Sequence, residues 1–217
     1  MSETPETAPL VLSQLPLFPL QTVLFPGGWM PLRIFEVRYL DMIGRCQQEQ
    51  TPFGVVSLAE GQEVRTPTGA ADRLERVGTL AHLLKVDKVQ AGLLRIQCQG
   101  RQRFTVMSSE QLPHGLWMAD IEVLPPDPWV SVPPDLTAAQ TSLQAVLQSM
   151  QEQAPEVLGD WPLQPPFAWT DSGWLANRWA ELLPLPLATR QQLMSLDNPL
   201  LRLELICDLL EQHGVGD

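Results

Sequence analysis

The chain has little of what enzymes are usually built from. Of its 217 residues three are cysteine and three histidine. Lys85 and Lys88 are its only lysines. Cys46, Cys98 and Cys207 are odd in number and far apart, and each sits in an apolar pattern rather than at a paired or metal-ligand spacing. That excludes a disulfide framework and a zinc knuckle, and reduced, buried thiols in a cytoplasm are expected. His82, His114 and His213 are too scattered for a triad or a metal site, so no metal and no cofactor is expected. There is no G-x-x-x-x-G-K-[ST] phosphate loop, no G-x-S-x-G elbow and no H-E-x-x-H. Both lysines lie in or at the end of one strand pattern, which argues against a Ser-Lys or Schiff-base site. Asp171-Ser172-Gly173 has the look of a serine nucleophile, but it directly precedes an apolar-periodic helix, where Asp and Ser serve as caps. No catalytic residue is expected.

Long apolar runs are missing too. The start, "MSETPETAP", has neither a basic nor an apolar leader region, and no later window approaches eighteen apolar residues, so a soluble protein without a cleaved signal or membrane span is expected. Positive charge is scarce, with a formal net charge of -11. Residues 1–124 hold 13 acidic and 11 basic residues, and residues 125–217 hold 12 acidic and 3 basic. A field of that sign repels a phosphate backbone and disfavours nucleic acid as a partner.

What is present is a change of period. Leu94, Ile96 and Cys98 alternate with Arg95, Gln97 and Gln99, and Ala119, Ile121 and Val123 alternate with Met118, Asp120 and Glu122, as in strands with one buried face. "PFGVVSL" and "VGTLAHLLKV" are apolar on both faces, as in the middle of a closed or nearly closed sheet. Tyr39, Ile43 and Cys46 instead fall at helical spacing and predict a helix over Glu36–Gln50, lying across one opening of the sheet. Past the five prolines of "VLPPDPWVSVPPD" the period is helical. Thr137 with Gln140 has the form of a capping box and starts a helix to about Gln153. Ser172–Leu183 and Pro186–Ser195 predict shorter helices, and Asn198-Pro199 starts the last one. The expected architecture is α+β, with a β-rich subdomain over 1–124 and a helical bundle over 125–217.

Quoted in order, "LPLFPLQTVLFPGGWMPLRIFEVRYLDMI", "PFGVVSL", "VGTLAHLLKV", "LLRIQCQGRQRFTV", "WMADIEVLPPD" and "WLANRWAELLPLPLATRQQLMSLDNPLLRLELICDLL" together resemble the Lon N-terminal domain family, the substrate-recognition domain of the ATP-dependent Lon protease. The pattern departs at Val37, where proline is usual, and at His82, where arginine is common. The resemblance implies a PUA-like β-barrel or pseudo-barrel with one long helix, followed by a small helical bundle. It implies recognition of unfolded or apolar protein segments, with a protease or chaperone as a further partner. The ATPase and the Ser-Lys peptidase of the full protease are not expected in these residues, so neither ATP hydrolysis nor proteolysis is expected.

The candidate surface starts in "LFPLQTVLFPGG". Leu17, Leu20, Val23 and Leu24 read as core, while Pro26, Gly27 and Gly28 form a turn from which Trp29 and Met30 emerge, either to pack or to meet a partner. Arg33, Glu36 and Arg38 match the family's Arg-x-x-Glu-x-Arg pattern and either pair and cap the helix or hold a peptide backbone. Trp161, Phe167 and Trp169 lie in a proline-rich loop, as a lid over the bundle or as a groove wall. The alternative function is an RNA-binding PUA-like module with Arg95, Arg101 and Arg103 as its footprint, and a small-molecule pocket between barrel and bundle is a third.

Overall fold

The computed structural model describes residues 9–60, 73–153 and 163–214. Six strands, β1 (Leu10–Leu20), β2 (Trp29–Ile34), β3 (Phe53–Glu60), β4 (Arg73–Gln90), β5 (Leu93–Gln111) and β6 (Trp117–Val123), join in the order β2-β5-β4-β3-β1-β6. An additional β5–β6 pairing closes β1, β3, β4, β5 and β6 into a ring, with Phe104 opposite Val123 and Val106 opposite Ile121. Strand β5 is long enough to serve twice. Its first half pairs with β2 from Leu94 to Gln99, and its second half with β6. The sheet is mixed, because β1 runs parallel to β3 from Leu17 to Leu20 and antiparallel to β6.

The strands that are apolar on both faces have a physical reason to be so, since they separate two cores. Leu15, Leu17, Val56, Leu80, Phe104, Ala119 and Ile121 meet inside the ring. Phe18, Leu20, Phe53, Val55, Ala81, Ile96 and Cys98, of opposite parity on β1 and β3, face a second core. Helix α1 (Val37–Glu49) closes that core with Tyr39, Met42, Ile43 and Cys46. The helix expected across an opening of the sheet therefore lies over a strand face. It ends at Gln50, in the left-handed region at φ 55°.

A third core belongs to α2 (Thr137–Gln153), α3 (Ser172–Leu182), α4 (Leu187–Ser195) and α5 (Pro199–Gln212). Leu143, Leu175, Ala176, Leu203 and Ile206 are its fully buried centre, and Val23 and Phe25 reach into it from the loop after β1. Asp171 caps α3 by accepting from Gly173 N–H, and the Asn198 side chain accepts from Leu200 and Leu201 N–H at the start of α5. The capping box is not formed at α2. A 3-10 turn (Pro134–Leu136) precedes this helix, and the Thr137 hydroxyl donates back to the Pro134 carbonyl at 2.8 Å instead.

Strands and helices are joined by buried charge. Arg103 on β5 and Arg202 on α5 are 3% and 0% exposed and share the two oxygens of Asp127, at 2.8 and 2.6 Å. Arg103 also donates to the Met194 and Leu196 carbonyls, and Arg202 to the Leu193 and Leu196 carbonyls and to Asn177 Oδ1. Gln191 donates to the Val77 carbonyl at 2.9 Å. With most of their donors satisfied, the two guanidiniums fix the bundle against the barrel in one orientation.

Candidate functional site

The residues singled out in the sequence fall into three places. The first is the turn at Pro26, Gly27 and Gly28. Gly27 takes φ 77°, its N–H donates to Gly100 O at 2.9 Å, and Gly100 N–H donates to Gly28 O at 2.8 Å. From the other side Arg178 Nη2 donates to the Pro26 carbonyl at 3.0 Å, and Glu181 lies against Gly28 so closely that a β-carbon there would fall 2.0 Å from its Oε1. The turn is thus wedged between β5 and α3. Beside it stand the rings: Trp174 packs edge-on to Trp169 at 5.1 Å, Phe167 lies 5.1 Å from Trp169, and all three are half-buried against the helical core. Arg178 spans the two features, its guanidinium 5.9 Å from the Trp174 ring centre. Trp161 lies outside the described residues.

Glu181 is the most perturbed carboxylate here. Burial outweighs the attraction of Arg178 and pushes its pKa from 4.5 up to about 7. Geometry shows why pairing does not compensate: Arg178 Nε and Glu181 Oε2 are 2.8 Å apart but off hydrogen-bonding alignment, and the Nη2 bond to Oε1 at 2.9 Å is the aligned one.

The second place is β2. Trp29, Pro31 and Arg33 point away from the second core, while Met30 and Leu32 pack against it. Trp29 is half-buried with its indole N–H enclosed and without a hydrogen-bond partner. Arg33 is exposed opposite Arg95.

The third place holds Glu36 and Arg38, and it is a groove that sequence reasoning did not find. The carboxylate of Glu36 makes no cap bond, and pairs instead with Arg38 Nη2 at 2.8 Å. Arg38 also donates to the Gly115 carbonyl at 2.7 Å and stacks over Tyr39. These contacts hold α1 to the β5–β6 turn. Between α1 and β1 opens a groove of about 720 Å³. Leu12, Ser13, Gln14, Leu15 and Pro16 form one wall, α1 residues from Val37 to Glu49 the other, and Leu116 and Met118 complete it. Five consecutive β1 residues on one wall mean that the groove runs along the strand's edge. Among the described residues this edge has no strand partner before Leu17, where pairing with β3 begins. Gln14 marks an irregularity in the β6 ladder at φ 55° and turns its N–H to Asp120 Oδ1. The groove is lined by residues from three separate stretches of chain, 12–16, 37–52 and 112–118, so no local pattern signals it.

Chemistry is sparse throughout. Among the described residues no group of three or more His, Cys, Asp or Glu is placed to hold a metal ion. Burial pushes the Cys98 thiol up to about 12, and the Cys46 and Cys207 thiols are also raised. These are poor nucleophiles. Cys207, expected to be buried, is half-buried on α5. Of the arginines read as an RNA footprint, Arg103 is committed to the barrel–bundle contact, while Arg95 and Arg101 are exposed. No helix among the described residues is long and apolar enough to cross a membrane.

A small closed barrel with a helix over one strand face and a helical C-terminal part is an α+β scaffold with a groove beside one strand edge. The chain belongs to the family of the ATP-dependent protease La (LON) substrate-binding domain, which matches residues 14–212. The Lon N-terminal domain protein from Xanthomonas campestris is similar in structure, with a TM-score of 0.69 at 28% identity, covering 91% of this chain and 98% of that one. The N-terminal domain of Mycobacterium avium complex Lon protease shares the fold, with a TM-score of 0.59 at 17% identity over 92% of this chain and 99% of that one. The Lon protease of Anaeromyxobacter dehalogenans is 29% identical over 91% of this chain, which spans 23% of that protein. A shorter match, 25% identical over 52% of this chain and 24% of the relative, is to protein cereblon of Xenopus tropicalis. The matched part of the Lon relatives is the substrate-binding domain, without the protease or ATPase parts.

Proposed function

We propose that this protein is a non-enzymatic recognition module that binds an extended, apolar segment of an unfolded or tagged protein, in the manner implied by its family. The observation that carries this reading is the groove along the β1 edge. An extended segment laid there gains backbone hydrogen bonds from an unpaired strand edge, while Leu12, Val37 and Met118, none of them buried, offer apolar contact to alternate side chains over the buried Met42 and Leu116. Asp41, Arg45, Glu49 and His114 line the groove with exposed polar groups and suit a client that binds and leaves. The turn at Pro26–Gly28 with Phe167 and Trp169, and the β2 residues Trp29 and Met30, are the other candidates, and the groove is favoured over them because Met30, Phe167 and Trp169 pack against cores and neither place offers an unpaired edge beside a cavity.

Val37 is 72% exposed at the first position of α1, where an acidic residue suits the helix, and Leu12 is half-buried. Val37→Asp and Leu12→Asn should each weaken binding of a fluorescent, unfolded apolar peptide by about tenfold, roughly 1.4 kcal/mol. Val37→Asp should leave the melting temperature in place. Unchanged affinity in both variants would contradict the reading.

A further inference from the structure

A chain with a net charge of -11 nonetheless carries a positive sheet face. Strands β2, β5 and β4 lie side by side there, and their register sets three rungs of outward residues: Trp29, Gln99 and His82; then Pro31, Gln97 and Lys85; then Arg33, Arg95 and Asp87. The inward alternates, Ile34, Ile96 and Cys98, are fully buried, which fixes the outward set by parity. Arg101 extends the face beyond the first rung and is exposed. Its charge is felt within the patch, since the His82 pKa is lowered first by burial and then by Arg101. Asp87 is the single carboxylate in these rungs, and Lys85 pairs with it at 2.8 Å. Arg33 and Arg101, both exposed, add positive charge toward the two ends of the face. Among the described residues β2 is paired with β5 alone, so an open strand edge borders the patch.

We propose that this face is a docking surface for an acidic, extended segment of a partner protein, running along β2 with carboxylates set against Arg33 at one end and Arg101 at the other. Charge complementarity argues for the sign of the partner, and the open edge for its extended form. The size of the patch argues for a protein rather than a nucleic acid. It is three strands wide, so a short acidic segment fits within it, whereas a long phosphate backbone would run out over the helical part with its 12 acidic and 3 basic residues. Nor does the face offer an open stacking platform for bases: its two rings, Trp29 with its N–H enclosed and His82, are both half-buried. The site is separate from the β1 groove and shares no residue with it.

The test is fluorescence anisotropy with the full chain and a labelled peptide alternating glutamate with threonine. A lysine-for-glutamate version and an oligouridine of equal charge serve as comparisons. The glutamate peptide should bind at low ionic strength, weaken steeply as salt rises through about 0.15 M, and lose about tenfold or more in affinity in the Arg33→Glu, Arg101→Glu double variant. Both residues are exposed, so the fold should persist, which circular dichroism and the melting temperature check. The groove variant Val37→Asp should leave this binding unchanged. Failure of the glutamate peptide to bind, equal binding by the lysine peptide, indifference to the double charge reversal, or tighter binding of oligouridine would each overturn the proposal.

Discussion

At the scale of single residues, the charges that matter most are those with least access to water. Arg178 is 1% exposed and ties the Pro26 carbonyl to α3, yet its partner Glu181 is held in a site where burial favours the neutral acid. The folded-state pKa of Glu181, about 7, stands above the 4.5 of an unburied carboxyl, so the folded protein binds the proton more tightly than the unfolded chain does. Stability from this group is therefore complete below about pH 4.5 and is lost as the pH rises through about 7. Across that window the melting temperature should fall less steeply with rising pH in Glu181→Gln than in the parent. Parallel pH profiles would show that Glu181 keeps its charge in the fold. None of this was legible in the sequence, because the burial of Arg178 and Glu181 depends on the Pro26–Gly28 turn, far away in the chain, packing against α3.

At the scale of elements, local chemistry was legible and long-range pairing was not. Tyr39, Ile43 and Cys46 announced α1, and Asn198-Pro199 announced α5, because spacing and caps are properties of neighbours in the chain. The Thr137–Gln140 pattern was misleading because the prolines before it start a 3-10 turn, which takes the Thr137 hydroxyl for the Pro134 carbonyl. The stretch "LFPLQTVLFPGG" read as core against surface, and it proves to be core three times over. Leu17 enters the ring, Phe18, Leu20 and Leu24 the core under α1, and Val23 and Phe25 the helical core. A period of two cannot reveal which of three cores a side chain will enter. Asp127 sits in the proline-rich segment read as a mere boundary, yet it accepts from both Arg103 and Arg202. Asp127→Ala would remove the counter-charge that the two buried guanidiniums share, leaving Arg103 only the exposed Asp197 at 3.2 Å, and should cost about 3–5 kcal/mol in denaturant unfolding. A loss under about 1 kcal/mol would mean that Asp197 and the carbonyls of Leu193, Met194 and Leu196 suffice to hold the two arginines.

At the scale of the whole molecule, one chain is divided between a rigid junction and two open strand edges. Buried arginines and the Pro26–Gly28 turn lock the barrel to the bundle, while the β1 edge beside α1 and the β2 edge beside Arg33 remain unpaired among the described residues. Unpaired edges invite association, and a fold that retains them must blunt them or use them. Pro16 and Pro31 interrupt the two edges, and charged groups flank both, which restricts pairing with further copies yet leaves room for a short segment. The family could be read from the order of motifs along the chain, but the groove could not. It exists only where β1, α1, the β5–β6 turn and β6 converge.

The central claim is that an apolar client lies in this groove, and photo-crosslinking tests it most directly. An unfolded apolar peptide carrying a photoreactive phenylalanine analogue is bound to the protein, irradiated, and its attachment sites are mapped by mass spectrometry. The account predicts crosslinks on Leu12–Pro16, on the Val37–Glu49 helix and at Leu116 or Met118, and their loss in Val37→Asp. Crosslinks confined to Trp29, Phe167 and Trp169, with none along β1, would contradict it.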